Sequence, residues 1–295
     1  MSSDLFGIPI QVILGQLLLG LLNGGFYALL SLGLAVIFGL LGVVNFAHGA
    51  FYMLGAYATW MLLDFLGLNY WAALVLSPLL VGILGVLLER LFLKHLYKVN
   101  PLYGLLLTFG LALIAEGVLR EMFGASGQTY PVPELLQGAL DVGFMILPIY
   151  RVFVIVMCLS VCFITWYLIE KTTLGSTLRA ATENASLVQA FGINVPKIVM
   201  LTYGAGVGLA AFAGVLSAPI IQVSPLMGSS LVIVVFAVVV IGGMGSILGA
   251  ILSGLTLGVI EGFTKVIYPE ASNIVVFVIM AIVLCWRPSG FFGKE

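Results

Sequence analysis

At 295 residues, 62% hydrophobic and 8% charged with a mean hydropathy of +1.24, the chain is far more apolar than a soluble domain, where apolar usage is roughly 45–50%. This excludes a water-soluble globule and predicts an all-α polytopic membrane protein, one membrane domain over 1–295. With eleven Lys and Arg against twelve Asp and Glu, each basic residue weighs on orientation. In chain order, the start MSSDLFGIPIQ has no Lys or Arg before the first apolar run and carries Asp4. It does not read as a cleavable secretory signal, and the first span is expected to be retained. Apolar stretches near the ~20 residues that cross hydrocarbon follow at 11–30, 71–88, 152–169, 198–219 and 272–286 with its flanks.

Two long apolar stretches, 11–66 and 229–263, are interrupted by NFAHG and GGMGS. Read as turns between antiparallel helices, the breaks give about ten spans; read as kinks within broken helices, about eight. The first break carries Asn45 and His48 within VVNFAHGAFYMLGAY, 43–57. Polar groups at that depth need hydrogen-bond partners. Three roles stay open for them: satisfying backbone groups freed at the break, lining a translocation path, or relaying protons. His95, in ERLFLKHLYK with Arg90, Lys94 and Lys98, reads as an interfacial anchor. Glu116 and Glu261 read as the only carboxylates well within apolar segments, and each has a base four residues on, Arg120 and Lys265. Local i,i+4 pairing is the expectation, with ion coupling as the alternative. Three cysteines sit inside apolar runs, where they behave as small hydrophobes; no metal site is expected.

Small residues fall four apart in two stripes, Gly206, Ala210, Gly214, Ala218 and Ser246, Ala250, Gly254, Gly258, Gly262. Such stripes let membrane helices approach closely, with a substrate-path lining as the alternative. GAILSGLT, 249–256, has the glycine spacing of a phosphate-binding loop, but Leu255 stands where its lysine must be. No HExxH, serine nucleophile elbow or Cys/His cluster occurs, so no catalytic residue is expected.

The longest polar stretch is EKTTLGSTLRAATENASLVQAFGINVPK, 170–197. It reads as a helix with Ser176 or Thr177 as N-cap and Gly192 as its stop. Leu178, Ala181, Ala185 and Val188 line one face; Arg179, Glu183 and Ser186 line the other. A connector on the membrane surface and a docking helix for a soluble partner both fit these features. With the carboxyl terminus inside, Arg90, Lys94, Lys98, Lys171, Arg179, Lys197, Arg287 and Lys294 fall inside, and Arg120, Arg151 and Lys265 outside. The 170–197 loop is thereby expected to face the cytoplasm and the 121–148 loop to face out.

NGGFYALLSLGLAVIFGLLGVVNFAHGAFYMLGAY, LGSTLRAATENASLVQAFGINVPKIVMLTYGAGVGLAAFAGVL, VVIGGMGSILGAILSGLTLG and the terminal RPSGFFG together resemble the LivH-type permeases of branched-chain amino acid ABC importers. The likeness runs in order over nearly the whole chain. It implies an ABC importer permease fold with some broken helices, in a bacterial cytoplasmic (inner) membrane. It also implies a LivM-like permease partner, two cytoplasmic ABC ATPases that bind and hydrolyse ATP, and an extracytoplasmic binding protein. No cofactor for this chain and no nucleic acid partner are implied. By the resemblance, Arg179, Ala180, Glu183, Asn184, Ala190, Gly192 and Ile193 are the positions expected to dock the ATPase. Glu134 and Asp141 are candidates for binding-protein docking, and Asn45 and His48 for the path. Many relatives carry an acidic residue after NFAHG where this chain has Ala50. Branched-chain or related amino acids are the implied cargo; urea or short amides, and a stand-alone channel or facilitator, are the alternatives.

Overall fold

The computed structural model describes residues 4–5, 8–42, 45–97 and 99–293. Lys98 and Lys294, counted above toward the inner face, and positions 43–44 of the first break lie outside the described residues. Among the described residues eleven α-helices follow in order: α1 Ile10–Leu41, α2 His48–Leu66, α3 Tyr70–Leu91, α4 Pro101–Phe123, α5 Ile149–Lys171, α6 Thr173–Glu183, α7 Ala185–Ala190, α8 Val195–Ser217, α9 Met227–Gly242, α10 Ile247–Ile267 and α11 Val275–Trp286. Among the described residues there are also two short antiparallel strand pairs, Asp4–Leu5 with Ile8–Pro9 and Ala139–Asp141 with Ile146–Pro148, and an isolated antiparallel bridge between Gln128 and Val223.

Six helices, α1, α3, α4, α5, α8 and α10, are long and apolar enough to cross a membrane, and α9 and α11 are shorter apolar helices. With the largely buried α2, the described membrane helices fall within the expected eight to ten. Side-chain caps set several boundaries: Asn69, Asn100, Asn194 and Ser246 accept backbone N–H groups of Ala72, Leu102, Lys197 and Gly249 at 2.9–3.1 Å. Pro101 and Pro196 follow two of these caps, in the first turn where a missing N–H costs nothing.

α1 is the central helix. In its most apolar window 83% of residues are buried, against 17% in α4 and α5, whose exposed Leu106, Ile114, Phe163 and Ile164 suit a lipid surface. Hydrocarbon supplies no hydrophobic drive between helices, so association rests on close van der Waals contact. The small-residue stripes make that contact. A Cβ on Gly258 would lie 2.3 Å from Gly24 N and Cα, one on Gly254 2.5 Å from Ala28 N, and one on Gly262 2.5 Å from Gln16 O, so α10 runs antiparallel to α1 at backbone contact. On α8, Gly206 meets Gly33 and Ile37 of α1, and Gly214 meets Tyr52 and Ala56 of α2.

The same contacts fix which helix ends share a side. The start of α1 lies by the end of α10 and by Met145, ahead of α5. Tyr150, opening α5, donates to Leu216 O near the end of α8, and α3 packs antiparallel to α8 through Gly82 and Gly204. The carboxyl-terminal tail returns to the end of α9, where Phe291 and Phe292 N–H groups donate to Ile241 and Gly242 carbonyls. Arg90, Lys171, Arg179, Lys197 and Arg287 therefore gather at one end of the bundle, and Arg120, Arg151 and Lys265 at the other.

Both interruptions are turns between helices. At GGMGS, α9 and α10 fold back with Gly242 against Gly249, through Gly243 and Gly245 at φ 98° and 86°. At NFAHG the return is deeper. α1 stops at Leu41 with Gly42 in the left-handed conformation, yet His48, opening α2, lies beside Leu30, eleven residues or ~16 Å back along α1. α2 thus begins inside the bundle.

Candidate functional site

The polar loop comes first. Its helix is not one but two. α6 begins at Thr173, not after Ser176 or Thr177, whose hydroxyls instead donate to Thr173 O. Gly175 sits inside α6, where a Cβ would lie 1.6 Å from Ile169 O at the end of α5. Asn184 ends α6 and caps α7, its side-chain oxygen accepting Leu187 N–H at 3.0 Å. Gly192, at φ 81°, closes the loop before α8.

Ala181 and Val188 are buried, with Leu178 half-buried; Ala185, placed on the same face by its spacing, is exposed. Arg179, Ala180, Glu183, Asn184, Ala190, Gly192 and Ile193 are all exposed, at the end of the bundle that gathers most of the basic residues. Arg179 pairs with Glu170 at 3.4 Å, which ties α6 to the end of α5. Two residues escaped the sequence reading: Leu187 is 56% exposed and Phe191 77% exposed. Their signal was available, as large apolar side chains in the most polar stretch of the chain.

Within the membrane, Asn45 and His48 are fully buried and turn into the bundle. Asn45 donates to Tyr203 Oη at 3.0 Å and accepts Ala47 N–H at 3.1 Å. His48 Nε2 donates to Leu30 O at 2.9 Å, and the ring lies against Gly33 of α1. The Phe46 N–H between them donates to Thr108 Oγ1 of α4 at 3.1 Å. Their neighbours line a cleft instead. Phe46, Gly49, Ala50 and Met53 from the start of α2 face Phe109, Leu113 and Glu116 of α4 and Gly228, Ser229 and Val232 of α9. α9 also starts within the bundle: Gly228 and Gly49 touch, and a Cβ on Gly228 would lie 2.1 Å from Gly49 O. The cleft is partly open and offers about 60 Å³, several times the roughly 10–15 Å³ that one water needs. An amino acid fits only once the helices part or a second wall completes the space.

The carboxylates correct the pairing expected from spacing. Glu261 forms its pair, with Lys265 Nζ at 2.5 Å and Tyr27 Oη donating at 2.6 Å. Glu116 and Arg120 do not pair, and Glu116 faces the cleft. A third carboxylate was missed. Glu89 is 4% exposed near the end of α3 and accepts Tyr97 Oη at 2.8 Å. Burial and this bond push the Tyr97 hydroxyl well above the usual range.

At the other end, Glu134 lines a groove of about 440 Å³ with Tyr70, Trp71, Tyr130 and Pro133. Tyr130 is buried there, which pushes its pKa up to about 12, and its hydroxyl has no partner among the described residues. Asp141 lies apart from the groove, capping its own hairpin by accepting Gly143 N–H at 2.8 Å.

The family model described as branched-chain amino acid transport system / permease component matches residues 16–284. The chain belongs to that family. It is similar to the high-affinity branched-chain amino acid transport system permease protein BraD of Pseudomonas aeruginosa, 31% identical over 95% of this chain and 96% of that protein. Likeness to the LivH permease protein of Escherichia coli K12 is 29%, over 95% and 96%. The LivM permease protein of the same organism is 26% identical, over 90% of this chain and 67% of its own length. The family's span takes in both helix breaks, the cleft and the α6–α7 loop, and a multi-pass membrane protein follows from the six span-length helices.

Proposed function

We propose that this chain is the transmembrane permease subunit of an ATP-driven ABC importer for branched-chain amino acids, Leu, Ile or Val, and close relatives of them. The observation that carries the reading is the family match from residue 16 to residue 284. The chain pairs with a LivM-like permease and with two cytoplasmic ABC ATPases, and receives cargo from an extracytoplasmic binding protein. ATP binding and hydrolysis reside in the ATPases, and this chain binds no cofactor.

The bundle end that gathers the basic residues faces the cytoplasm, with the carboxyl terminus, in the cytoplasmic (inner) membrane. There α6 and α7 dock an ATPase through Arg179, Ala180, Glu183, Asn184, Ala190, Gly192 and Ile193, with Leu187 and Phe191 as apolar anchors. The opposite end, with the 121–148 loop and Glu134 and Asp141, faces the binding protein. Closure of the ATPase pair favours one arrangement of the membrane helices over another, and cargo passes as the populations switch. The route is the largely apolar space beside the starts of α2 and α9. Asn45 holds that space in shape by capping the backbone at Ala47 and bonding Tyr203, and His48 by bonding Leu30 O within α1.

Reconstitution of the five-component assembly tests the reading. Leucine uptake into proteoliposomes should need ATP, both permeases and the binding protein. Leucine flux through this chain alone, without ATPases or ATP, would overturn it in favour of a facilitator.

A further inference from the structure

We propose that the Glu116 carboxylate recognises the α-ammonium group of the amino acid as it crosses the membrane, on the wall of the cleft between α2, α4 and α9. The proposal rests on the reading of the chain as an amino acid permease and adds a residue and a recognised group to it.

Spacing gives Glu116 a cation one turn on, as it does Glu261. Glu261 takes that partner and a tyrosine hydroxyl besides. Glu116 takes neither a cation nor a hydrogen-bond donor among the described residues, and Arg120 is exposed rather than folded back. A carboxylate in the apolar layer is costly to keep without a partner, and its partner is expected to arrive with the function.

The surroundings say what arrives. Phe46, Met53, Leu113 and Val232 give the cleft apolar walls, and Glu116 is its one charged residue. A solute with one positive group beside an aliphatic side chain complements both parts. The α4 face next to Glu116 is uncovered, since a Cβ on Gly110 or Gly117 would meet nothing within 4 Å. This is the face that also carries the exposed Leu106 and Ile114, so a second protein wall, such as the partner permease, must cover it to close the cleft around the solute.

In the reconstituted assembly, Glu116→Gln keeps size and shape and removes the charge. A lost charge-assisted contact should lower leucine uptake at subsaturating supply by about tenfold to a hundredfold. Glu116→Asp should recover most of it, and ATP hydrolysis without cargo should stay as in the unaltered protein. Wild-type uptake by Glu116→Gln overturns the proposal. So does a Glu116→Gln chain that inserts but no longer holds the partner permease, which would assign the carboxylate to an interface. Should that variant not accumulate, Ser229→Cys on the facing wall decides. Its alkylation by N-ethylmaleimide should slow severalfold with leucine and not with 4-methylpentanoate, which lacks the ammonium; equal rates overturn the proposal. An unaltered assembly that takes up no leucine would instead sink the underlying permease reading.

Discussion

Phe191 is the sharpest test of the loop as a docking surface. A phenylalanine buries on the order of 150 Å² at the low end of the aromatic range. With 77% of the residue exposed, about 115 Å² remains for a partner to cover, or ~3 kcal/mol at 25 cal/mol per Å². Ordering of the side chain and imperfect fit take back part of this, leaving about 1.5–2.5 kcal/mol. Phe191→Ala should therefore weaken binding of the ATPase subunits to the permease pair by roughly tenfold to fiftyfold. Titration of purified ATPase onto the permease pair in nanodiscs reads this directly. Glu183→Gln, which removes an exposed charge, should change the association rate and its salt dependence more than the affinity. Unchanged ATPase affinity in Phe191→Ala would refute the anchor. A drop in membrane insertion instead would mean that the ring lies in the headgroup layer.

Gly258→Val places a branched side chain where a Cβ alone would sit 2.3 Å from the backbone of Gly24. It should cost at least ~3 kcal/mol and abolish a monodisperse peak in detergent, whereas Gly117→Ala should leave the thermal midpoint unmoved. Asn45→Ala removes a donor to Tyr203 and a cap on Ala47; a loss of about 2 kcal/mol is expected in denaturant unfolding, with Asn45→Asp milder because the cap survives. Lys265→Met leaves the buried Glu261 with Tyr27 alone, and should lower the thermal midpoint by an amount worth ~1–2 kcal/mol, since Lys265 is itself partly exposed.

The spans, the gathering of basic residues at one bundle end and the glycine seams were legible because each depends on one-dimensional properties: apolar run length, basic residues between runs, and a period of four. The starts of α2 and α9 inside the bundle were not legible. A helix that begins at mid-depth and one that begins at the surface present the same apolar run, and only the approach of His48 to Leu30 and of Gly49 to Gly228 separates them. Spacing also could not tell Glu116 from Glu261, since the pairing turns on whether a hydroxyl such as that of Tyr27, 234 residues away, helps to hold the carboxylate. Glu89 was missed because it stands at the end of a basic cluster and its partner Tyr97 lies beyond the helix. The start of α6 was misplaced at Ser176 or Thr177, since a hydroxyl that could cap a helix start instead donates back to Thr173 O within the first turn.

The loop and the cleft are far apart, so their joint use needs a rigid connection. α8 supplies one. It starts at Val195 directly after the α6–α7 loop, with Asn194 capping it, and α6 and α7 both pack against it. Eight residues on, Tyr203 accepts the Asn45 side chain, and Asn45 in turn caps the backbone at Ala47, one residue before α2. Higher on α8, Gly214 is in backbone contact with Tyr52 and Ala211 with Gly55, so α2 cannot tilt without α8. The start of α2 then meets the start of α9 at Gly49 and Gly228, on the wall of the cleft. From Tyr203 onward every joint is either backbone on backbone or a buried hydrogen bond, which leaves little slack between α8 and the cleft. Such contacts favour discrete arrangements over continuous bending, and that is the property a transporter driven by closing ATPases requires of its membrane domain.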